Sequence, residues 1–164
     1  MFNVVLVANL DKKIRYSVWS IFFYGIILIK KMEKNMKALT IKNPWASLII
    51  NGYKRYEFRS WKTNYRGKIL IHAGLSIEKD MLSRFDCYNL DYINGAIIGE
   101  AEIVDCILVD EKFNNELKKI NPIVYARSNH TETYAWKLDN IKKYDKPIYI
   151  KGKLGLWNYN MGDN

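Results

Sequence analysis

The stretch NPWASLIINGYKRYEFRSW, Asn43–Trp61, changes its hydrophobic period part-way along, and that change decides the fold. In its first half the apolar residues recur at three- and four-residue intervals: Trp45, Leu48, Ile49 and Tyr53. This spacing predicts a short helix with one buried stripe. Asn43 and Pro44 are typical of residues that begin a helix, and Gly52 suits the left-handed turn that ends one.

The second half of the stretch alternates with a period of two, which predicts an extended strand. One face of this strand carries side chains about 7 Å apart, twice the strand rise: Arg55, Glu57, Arg59 and Trp61. Because a guanidinium on each side favours the ionised carboxylate, we expect Glu57 to orient Lys54 or Arg59, or to accept hydrogen bonds from a ligand. A ladder of exposed ion pairs is the alternative explanation of the same spacing.

The remaining chain contains short strands and two further helices. Strands are predicted at Lys37–Ile41, Lys68–Ala73, Gly95–Val109, Tyr134–Leu138 and Ile148–Lys151. Gly99 is expected to mark a bulge or bend in the longest of them. Helical spacing predicts helices over Ile77–Tyr88 and Glu111–Ile120, and the polar run Asn121–Glu132 is expected to be a loop. About six strands with two or three helices, not in regular alternation, predict an α+β domain: a small curved sheet or barrel covered by helices.

The chain is strongly basic, and the excess charge is concentrated in one region. Its 164 residues carry a formal net charge of +9. From Lys37 to His72 there are eight Lys and Arg residues and one acid, Glu57. Local basicity of this kind favours an anionic partner, above all a nucleic-acid backbone. A soluble protein that is merely rich in lysine is the alternative.

Cysteine usage and motif content exclude several classes of protein. The two cysteines, Cys87 and Cys106, form no CxxC pair and have no histidine at metal-binding spacing. We therefore expect neither a zinc site nor a disulfide framework, and a reducing cytoplasm fits this usage. The sequence has no Gly-rich phosphate loop, no GxSxG and no HExxH, so no metal and no cofactor are expected.

Residues 1–35 are expected to be an N-terminal extension outside the domain, which spans residues 36–164. The extension contains the most apolar run of the chain, Val18–Ile29, but its twelve residues fall short of the roughly 20 that a spanning helix needs. Basic residues flank the run and no small-residue cleavage site follows it, which argues against a signal peptide. A start at Met32 or Met36 explains the extension most simply. We expect no membrane contact for residues 36–164.

Four blocks of the sequence, in this order and register, resemble the ASCH domain (activating signal cointegrator homology), a member of the PUA-like superfamily. They are PWAxLI, GxK, ExRSW and RGxxxIHA, all within Pro44–Ala73. The resemblance continues through GAIIGEAEIVDC, YAWKLD and KPIYIKGKLGLWN, so that it covers nearly all of residues 37–158. It implies a small PUA-like β-barrel with helices over its openings, and the chain looks most similar to the cointegrator-type branch.

The resemblance also implies a function and a set of residues. Members of the family are associated with RNA or DNA binding in a cleft bordered by the first helix and the following strand. The family lysine falls on Lys54, and the acid and arginine of the next strand on Glu57 and Arg59. The full set of candidate ligand-binding residues is Lys54, Glu57, Arg59, Trp61, Arg66 and His72. For Trp61, packing over the barrel rim is the alternative to base stacking, and for His72 the alternative is a satisfied, half-buried position.

An enzymatic branch of the family supplies the alternative function. Small bacterial amidohydrolases that resemble this chain deacetylate N4-acetylcytidine with a lysine, a threonine three residues later and a glutamate on a later strand. Lys54 matches the lysine, Glu57 stands where the threonine would be, and Glu100 is the matching glutamate. A carboxylate cannot replace a hydroxyl nucleophile in amide cleavage without a different mechanism.

We therefore expect an ASCH-type domain that binds RNA, or DNA or a nucleotide-containing small ligand, in a basic cleft. Lys54 and Arg59 would contact phosphates or base acceptors, while Glu57 positions them or reads a base amino group. The alternatives are an amidohydrolase or an RNA-cleaving nuclease with Lys54, Glu57 and Glu100 as catalytic residues, and a protein-interaction module with no nucleic-acid role.

Overall fold

The computed structural model describes residues 20–26, 35–126 and 133–160. Contacts group these residues into two units: Met36–Asn158 form one, and 20–26, 35 and 159–160 belong to the other. Residues 20–26 are helical, and most of their side chains are exposed. The other residues of the predicted extension before residue 35, and 127–132 of the predicted loop, lie outside the described residues. No described helix is long and apolar enough to cross a membrane.

Six strands form one mixed sheet. They are β1 (Asn35–Asn43), β2 (Tyr56–Arg59), β3 (Gly67–Ile77), β4 (Ala96–Leu108), β5 (Tyr134–Tyr149) and β6 (Leu156–Asn160). Their order across the sheet is β2, β5, β4, β3, β1, β6. Strands β1 and β3 are parallel, whereas β4 is antiparallel to both β3 and β5, and β2 is antiparallel to β5.

The α+β class and the number of six strands are confirmed, although β6 was not predicted. The sheet stays open where a barrel was expected. Among the described strands, β2 and β6 are the two edges, and no ladder joins them. A side chain partly bridges the gap: Arg59 Nη2, on edge strand β2, donates a hydrogen bond of 2.9 Å to the carbonyl oxygen of Thr40 in β1. The guanidinium thus connects edge strand β2 to β1, the strand next to the other edge strand.

The turn after helix α1 (Trp45–Ile50) confirms the predicted glycine-terminated end, but the N-cap is Pro44, one residue after the predicted Asn43. The Asn43 side-chain oxygen accepts hydrogen bonds from the backbone N–H and the hydroxyl of Ser47, at 3.1 and 2.8 Å. Gly52 has a φ of +81°, and the Tyr53 N–H returns to the Leu48 carbonyl, which is the bonding of a glycine-terminated helix. The chain reverses there and enters β2 two residues after Lys54.

Three more helical segments lie beside the sheet: a 3₁₀ helix (Lys79–Tyr88), α2 (Glu111–Ile120) and α3 (Pro122–Tyr125). One hydrophobic cluster joins α1 to the sheet, and its largest side chain is Trp136. A second cluster joins α1 to the other helices through Leu48, Phe85, Leu117 and Val124. Helix α1 therefore contributes side chains to both clusters, which fixes its position and that of the turn that follows it.

Two predicted elements differ in the structure. The loop predicted at Asn121–Glu132 begins instead with α3, because the Asn121 side chain accepts a hydrogen bond from the Val124 N–H and Pro122 fills the first turn. The two strands predicted at Tyr134–Leu138 and Ile148–Lys151 are both part of β5. Pairing with β4 continues through the region predicted as a loop, since irregularities in register absorb the extra residues.

Candidate functional site

A cavity of about 680 Å³ opens where α1, β2 and the carboxyl end of β3 meet. Its volume falls within the range of roughly 300–1,000 Å³ of small-molecule sites. Its apolar walls come from several elements: Trp45, Phe58, Leu75, Met81, Val124 and Leu154. Three charged side chains from a single short stretch also line it: Lys54, Glu57 and Arg59. The cavity thus has apolar walls and a charged trio on the side of β2, and three charged residues of other segments complete its lining: Lys42, Glu78 and Arg84.

Lys54 lies at the junction between the glycine-terminated turn and β2. Its backbone N–H donates to the Leu48 carbonyl at 3.1 Å, which places it directly after α1. Only 3% of the residue is exposed. Its ammonium group donates to Glu57 Oε2 at 2.6 Å and to the Tyr56 carbonyl, and it lies 5.3 and 5.9 Å from the ring centroids of Phe58 and Trp45.

Burial lowers the pKa of Lys54 below its ordinary value, because the charged ammonium loses water. The neighbouring Glu57 carboxylate raises the pKa in part, and the Arg59 charge lowers it again. The lysine charge is therefore maintained largely by one carboxylate.

Glu57 pairs with two cations. Its residue is 7% exposed, and while Oε2 accepts from Lys54, Oε1 lies 3.0 Å from Arg59 Nη2. The prediction that Arg55 flanks Glu57 is wrong: Arg55 lies before the first residue of β2 and pairs with Asp139 at 3.3 Å, where both side chains are exposed. Lys54 takes the place that Arg55 was expected to fill.

Arg59 lines the cavity, and one of its donors is unused. Nη2 is shared between Glu57 and the Thr40 carbonyl. Nε is buried and has no hydrogen-bond partner among the described residues. An unsatisfied buried donor is costly, roughly 1–3 kcal/mol for a neutral group and more for a charged one, and such atoms are rare in native structures.

Trp61 and Arg66 are not among the residues that line the cavity. The Trp61 ring lies edge-on to Trp136 with centroids 4.5 Å apart, close to Gly155, which does line the cavity. Arg66 pairs with Asp105 at 3.4 Å and donates to the carbonyls of Thr63 and Tyr65. Neither residue joins Lys54, Glu57 and Arg59.

His72 is 2% exposed and lies in β3. Its Nε2 is 3.0 Å from the Ile150 carbonyl and its Nδ1 is 3.3 Å from Thr40 Oγ1. Burial lowers the pKa of His72, although the hydrogen bond to Ile150 raises it in part. The His72 ring is thus buried and hydrogen-bonded beside Thr40, which lines the cavity, as the structural alternative for this residue expected.

Glu100, the third residue of the enzymatic alternative, is not among the residues that line the cavity. It accepts hydrogen bonds from Lys68 at 3.1 Å and from the Tyr144 hydroxyl at 2.9 Å. Burial raises the pKa of this carboxyl, but the two hydrogen bonds and the charges of Lys68 and Lys142 together lower it by more. The pKa of Glu100 is therefore below its ordinary value. The structure therefore brings Lys54 and Glu57 together, whereas Glu100 is bound to Lys68 and Tyr144 outside the cavity lining.

No group of three or more His, Cys, Asp or Glu among the described residues could hold a metal ion.

Two residues of the cavity have roles that the sequence analysis missed. Tyr125 of α3 accepts hydrogen bonds at its hydroxyl from the backbone N–H groups of Arg55 and Tyr56, at 3.1 and 3.4 Å. Burial raises its pKa to about 12, with the charges of Tyr56 and Glu57 also raising it and the two backbone hydrogen bonds lowering it. The Asn121-Pro122 pair was the available signal for α3. Trp45, interpreted as a core residue, also donates from Nε1 to Glu78 at 2.9 Å beside the cavity.

The chain is similar to a known domain family, to two larger curated proteins and to a solved structure. The ASCH domain family matches residues 39–148. The chain is 29% identical to human activating signal cointegrator 1 over 149 residues, covering 74% of this chain and 24% of that protein. It is 33% identical to the mouse protein over 131 residues, covering 73% of this chain and 21% of that protein. The chain thus spans about a quarter of the length of these curated relatives. The crystal structure of ASCH from Zymomonas mobilis is 18% identical, with a TM-score of 0.45, covering 70% of this chain and 73% of that one.

Proposed function

The chain belongs to the ASCH domain family, and from that premise we propose that it binds RNA, taking one nucleotide into the cavity beside β2. The observation that carries this proposal is the guanidinium of Arg59. It lines the cavity, its side chain is 20% exposed, and Glu57 and the Thr40 carbonyl fix its position. A phosphate or base that carries hydrogen-bond acceptors can pair with the exposed part of this guanidinium from within the cavity.

The cavity suits one nucleotide in size and chemistry. Its volume of about 680 Å³ lies within the range of small-molecule sites. Trp45 and Phe58 supply aromatic walls against which a base can pack, since every base has a π-face. Lys54 and Arg59 outnumber Glu57 on the charged side, so this trio favours an acceptor-rich or anionic group. Oε2 of Glu57 accepts a hydrogen bond from Lys54 and Oε1 is ion-paired to Arg59, so we assign Glu57 the positioning role rather than the reading of a base amino group.

The substitution Arg59→Lys tests this proposal, because it keeps the positive charge beside Glu57 and removes the planar donor fork. Binding of fluorescently labelled single-stranded RNA is measured by anisotropy. Loss of a hydrogen bond to a charged group is worth about 1.5–3 kcal/mol, so we expect the affinity to fall by about tenfold or more.

The matched control is Arg55→Lys, the same change four residues earlier at an exposed pair outside the cavity lining. We expect this variant to bind RNA like the native chain. Thermal unfolding of all three proteins excludes a loss of folding as the cause. Native affinity in Arg59→Lys, or no RNA binding by the native chain, would contradict the proposal.

A further inference from the structure

Residues Tyr149–Gly155, the crossing segment, pass over one end of the sheet from β5 to β6. The Ile150 N–H donates to the Gly95 carbonyl just before β4, at 3.1 Å. The Ile150 carbonyl lies 3.0 Å from His72 Nε2 in β3. In β1, the Thr40 hydroxyl donates to the Lys153 carbonyl at 2.6 Å, and the Thr40 N–H donates to the Gly155 carbonyl at 3.1 Å. Four polar contacts to β1, β3 and the residue before β4 therefore hold the backbone of the crossing segment against the end of the sheet.

Side chains along the crossing segment alternate between an inner and an outer face. Tyr149, Lys151 and Lys153 are exposed, whereas Ile150 and Gly152 are half-buried. Gly152 is required on the inner face: a Cβ there would lie 2.2 Å from Cε1 of the His72 ring. In extended chain the outer side chains recur at about 7 Å, so an aromatic ring and two ammonium groups form one row.

Within the part of the chain that the structure describes, no ion pair accounts for the row. Tyr149 is 71% exposed, and among the described residues neither Lys151 nor Lys153 forms a salt bridge. The Lys153 ammonium lies 5.8 Å from the ring centroid of Trp157, which holds that side chain near the surface of β6. Two cations without a salt bridge to any described residue, beside an exposed aromatic ring, are the chemistry of single-strand nucleic-acid platforms.

The crossing segment leads directly to the cavity. Leu154 and Gly155 line the cavity, and Leu154 is 97% exposed. At the other end of the segment, Gly95 is hydrogen-bonded to Ile150 and lies against Leu75, which also lines the cavity. A strand that places one nucleotide in the cavity can therefore continue over this outer row.

We propose that the outer row of the crossing segment is a second binding surface, on which nucleotides flanking the one in the cavity are held. The partner is single-stranded RNA several nucleotides long, with a base stacked on Tyr149 and phosphates beside Lys151 and Lys153. This inference rests on the proposed function, since the cavity gives the strand its starting point. It adds that affinity depends on the length of the RNA.

The test compares a hexanucleotide RNA of mixed sequence with the four nucleoside 5′-monophosphates, each titrated against the full chain. The variants are Tyr149→Ser and the double variant Lys151→Gln/Lys153→Gln. The matched control is Lys112→Gln/Lys119→Gln, the same loss of charge at two exposed lysines of α2. All substituted side chains are exposed, so we expect thermal unfolding to be unchanged, and this is measured for each protein.

We expect Tyr149→Ser to weaken hexanucleotide binding at least about fivefold, the lower bound for removal of one base stack. The double lysine variant should lower the slope of log affinity against log salt by about 0.7 for each phosphate that the protein no longer neutralises. Mononucleotide binding should stay unchanged in both variants and fall in Arg59→Lys. The control should bind the hexanucleotide like the native chain.

Three outcomes would overturn the inference. If the row variants bind the hexanucleotide as well as the control does, while Arg59→Lys still loses mononucleotide binding, the second surface is wrong and the cavity site stands. If the native chain binds neither the hexanucleotide nor any mononucleotide, the proposed function fails as well. If single-stranded DNA of the same sequence binds as tightly as the RNA, the assignment of the surface to RNA is wrong.

Discussion

At Glu57 a single carboxylate pairs with two cations that differ in burial. Lys54 is almost fully buried, and the two hydrogen bonds that its ammonium donates go to Glu57 and to the Tyr56 carbonyl. Arg59 is partly exposed and has the Thr40 carbonyl as a second acceptor. The two cations therefore depend on Glu57 to different degrees. Loss of the carboxylate charge leaves Lys54 as a buried cation with no compensating anion, which is among the costly defects of a protein interior.

We predict that Glu57→Gln destabilises the fold at neutral pH, toward the lower end of the about 3–5 kcal/mol observed when one partner of a buried pair is removed. The pKa of Lys54 is already lowered by burial, and without Glu57 it falls further. The unfolded chain then holds this proton to higher pH than the folded one, so stability of the variant rises with pH. From neutral pH upward, the difference in the free energy of unfolding between the variant and the native protein should therefore become smaller.

Urea unfolding of both proteins at a series of pH values measures this difference. The control is Glu100→Gln, the same change at a pair whose lysine is mostly exposed, where we expect a loss of about 1 kcal/mol or less. If the difference in the free energy of unfolding between Glu57→Gln and the native protein stays constant or increases as the pH rises, the buried charge of Lys54 is not the cause of the destabilisation.

Among the elements, α1 is the one that positions the cavity, and its contact with β4 depends on glycine. A Cβ added at Gly99 would lie 2.3 Å from Ile50 Cδ1 and 2.3 Å from the Lys142 carbonyl oxygen. The register of β4 against β5 also shifts between Ile97 and Gly99, as the predicted bulge requires. Helix α1 thus lies closer to the sheet than any side chain at this position would allow.

We predict that Gly99→Ala destabilises the protein by about 1–3 kcal/mol, the cost of overpacking, because a backbone carbonyl cannot move aside as a flexible side chain can. Gly52→Ala is the matched control: its Cβ would meet nothing within 4 Å, but its φ is +81°. That change should cost about 1–2 kcal/mol through the left-handed conformation alone.

Urea midpoints of the two alanine variants measure the difference. The near-ultraviolet circular dichroism of the tryptophans, which include Trp45 of α1, should change in Gly99→Ala and not in Gly52→Ala. Full stability in Gly99→Ala would contradict the close approach of α1 to β4.

At the scale of the whole molecule, both hydrophobic clusters are built from residues within Met36–Asn158. Strand β1 contributes Leu39 and Ile41 to the larger cluster and lies between β3 and β6. The described part of the preceding extension, residues 20–26, leaves most of its side chains exposed. Removal of β1 would therefore open the core, whereas the described residues of the extension, 20–26, belong to neither cluster.

We predict that a shortened chain of residues 36–164 unfolds cooperatively, with a Tm within about 2–4 °C of the native value, the shift that 1 kcal/mol produces at this size. The control is a chain that begins at Trp45 and so lacks β1, which we expect to be unfolded. Differential scanning calorimetry of the three chains measures this. A large fall in Tm for residues 36–164 would show that the extension contributes to the stability of the domain.

The sequence by itself determined the local structure of α1, its glycine turn and β2, because capping and hydrophobic period act over a few residues. It also identified Lys54, Glu57 and Arg59 as a set, since Glu57 and Arg59 lie two positions apart on one face of the strand and Lys54 lies at the turn that precedes it. Gly99 was recognised as irregular for the same local reason. These features use no information from distant parts of the chain.

Only the tertiary structure decided which partner each charge takes and what surrounds the cavity. Arg55 pairs with Asp139 and Glu100 with Lys68, because the order of strands in the sheet brings together residues that the sequence separates by 32 or more positions. The continuous β5, the burial of His72 and the course of the crossing segment have the same origin. Each depends on backbone pairing between distant strands, and period and capping signals do not extend that far.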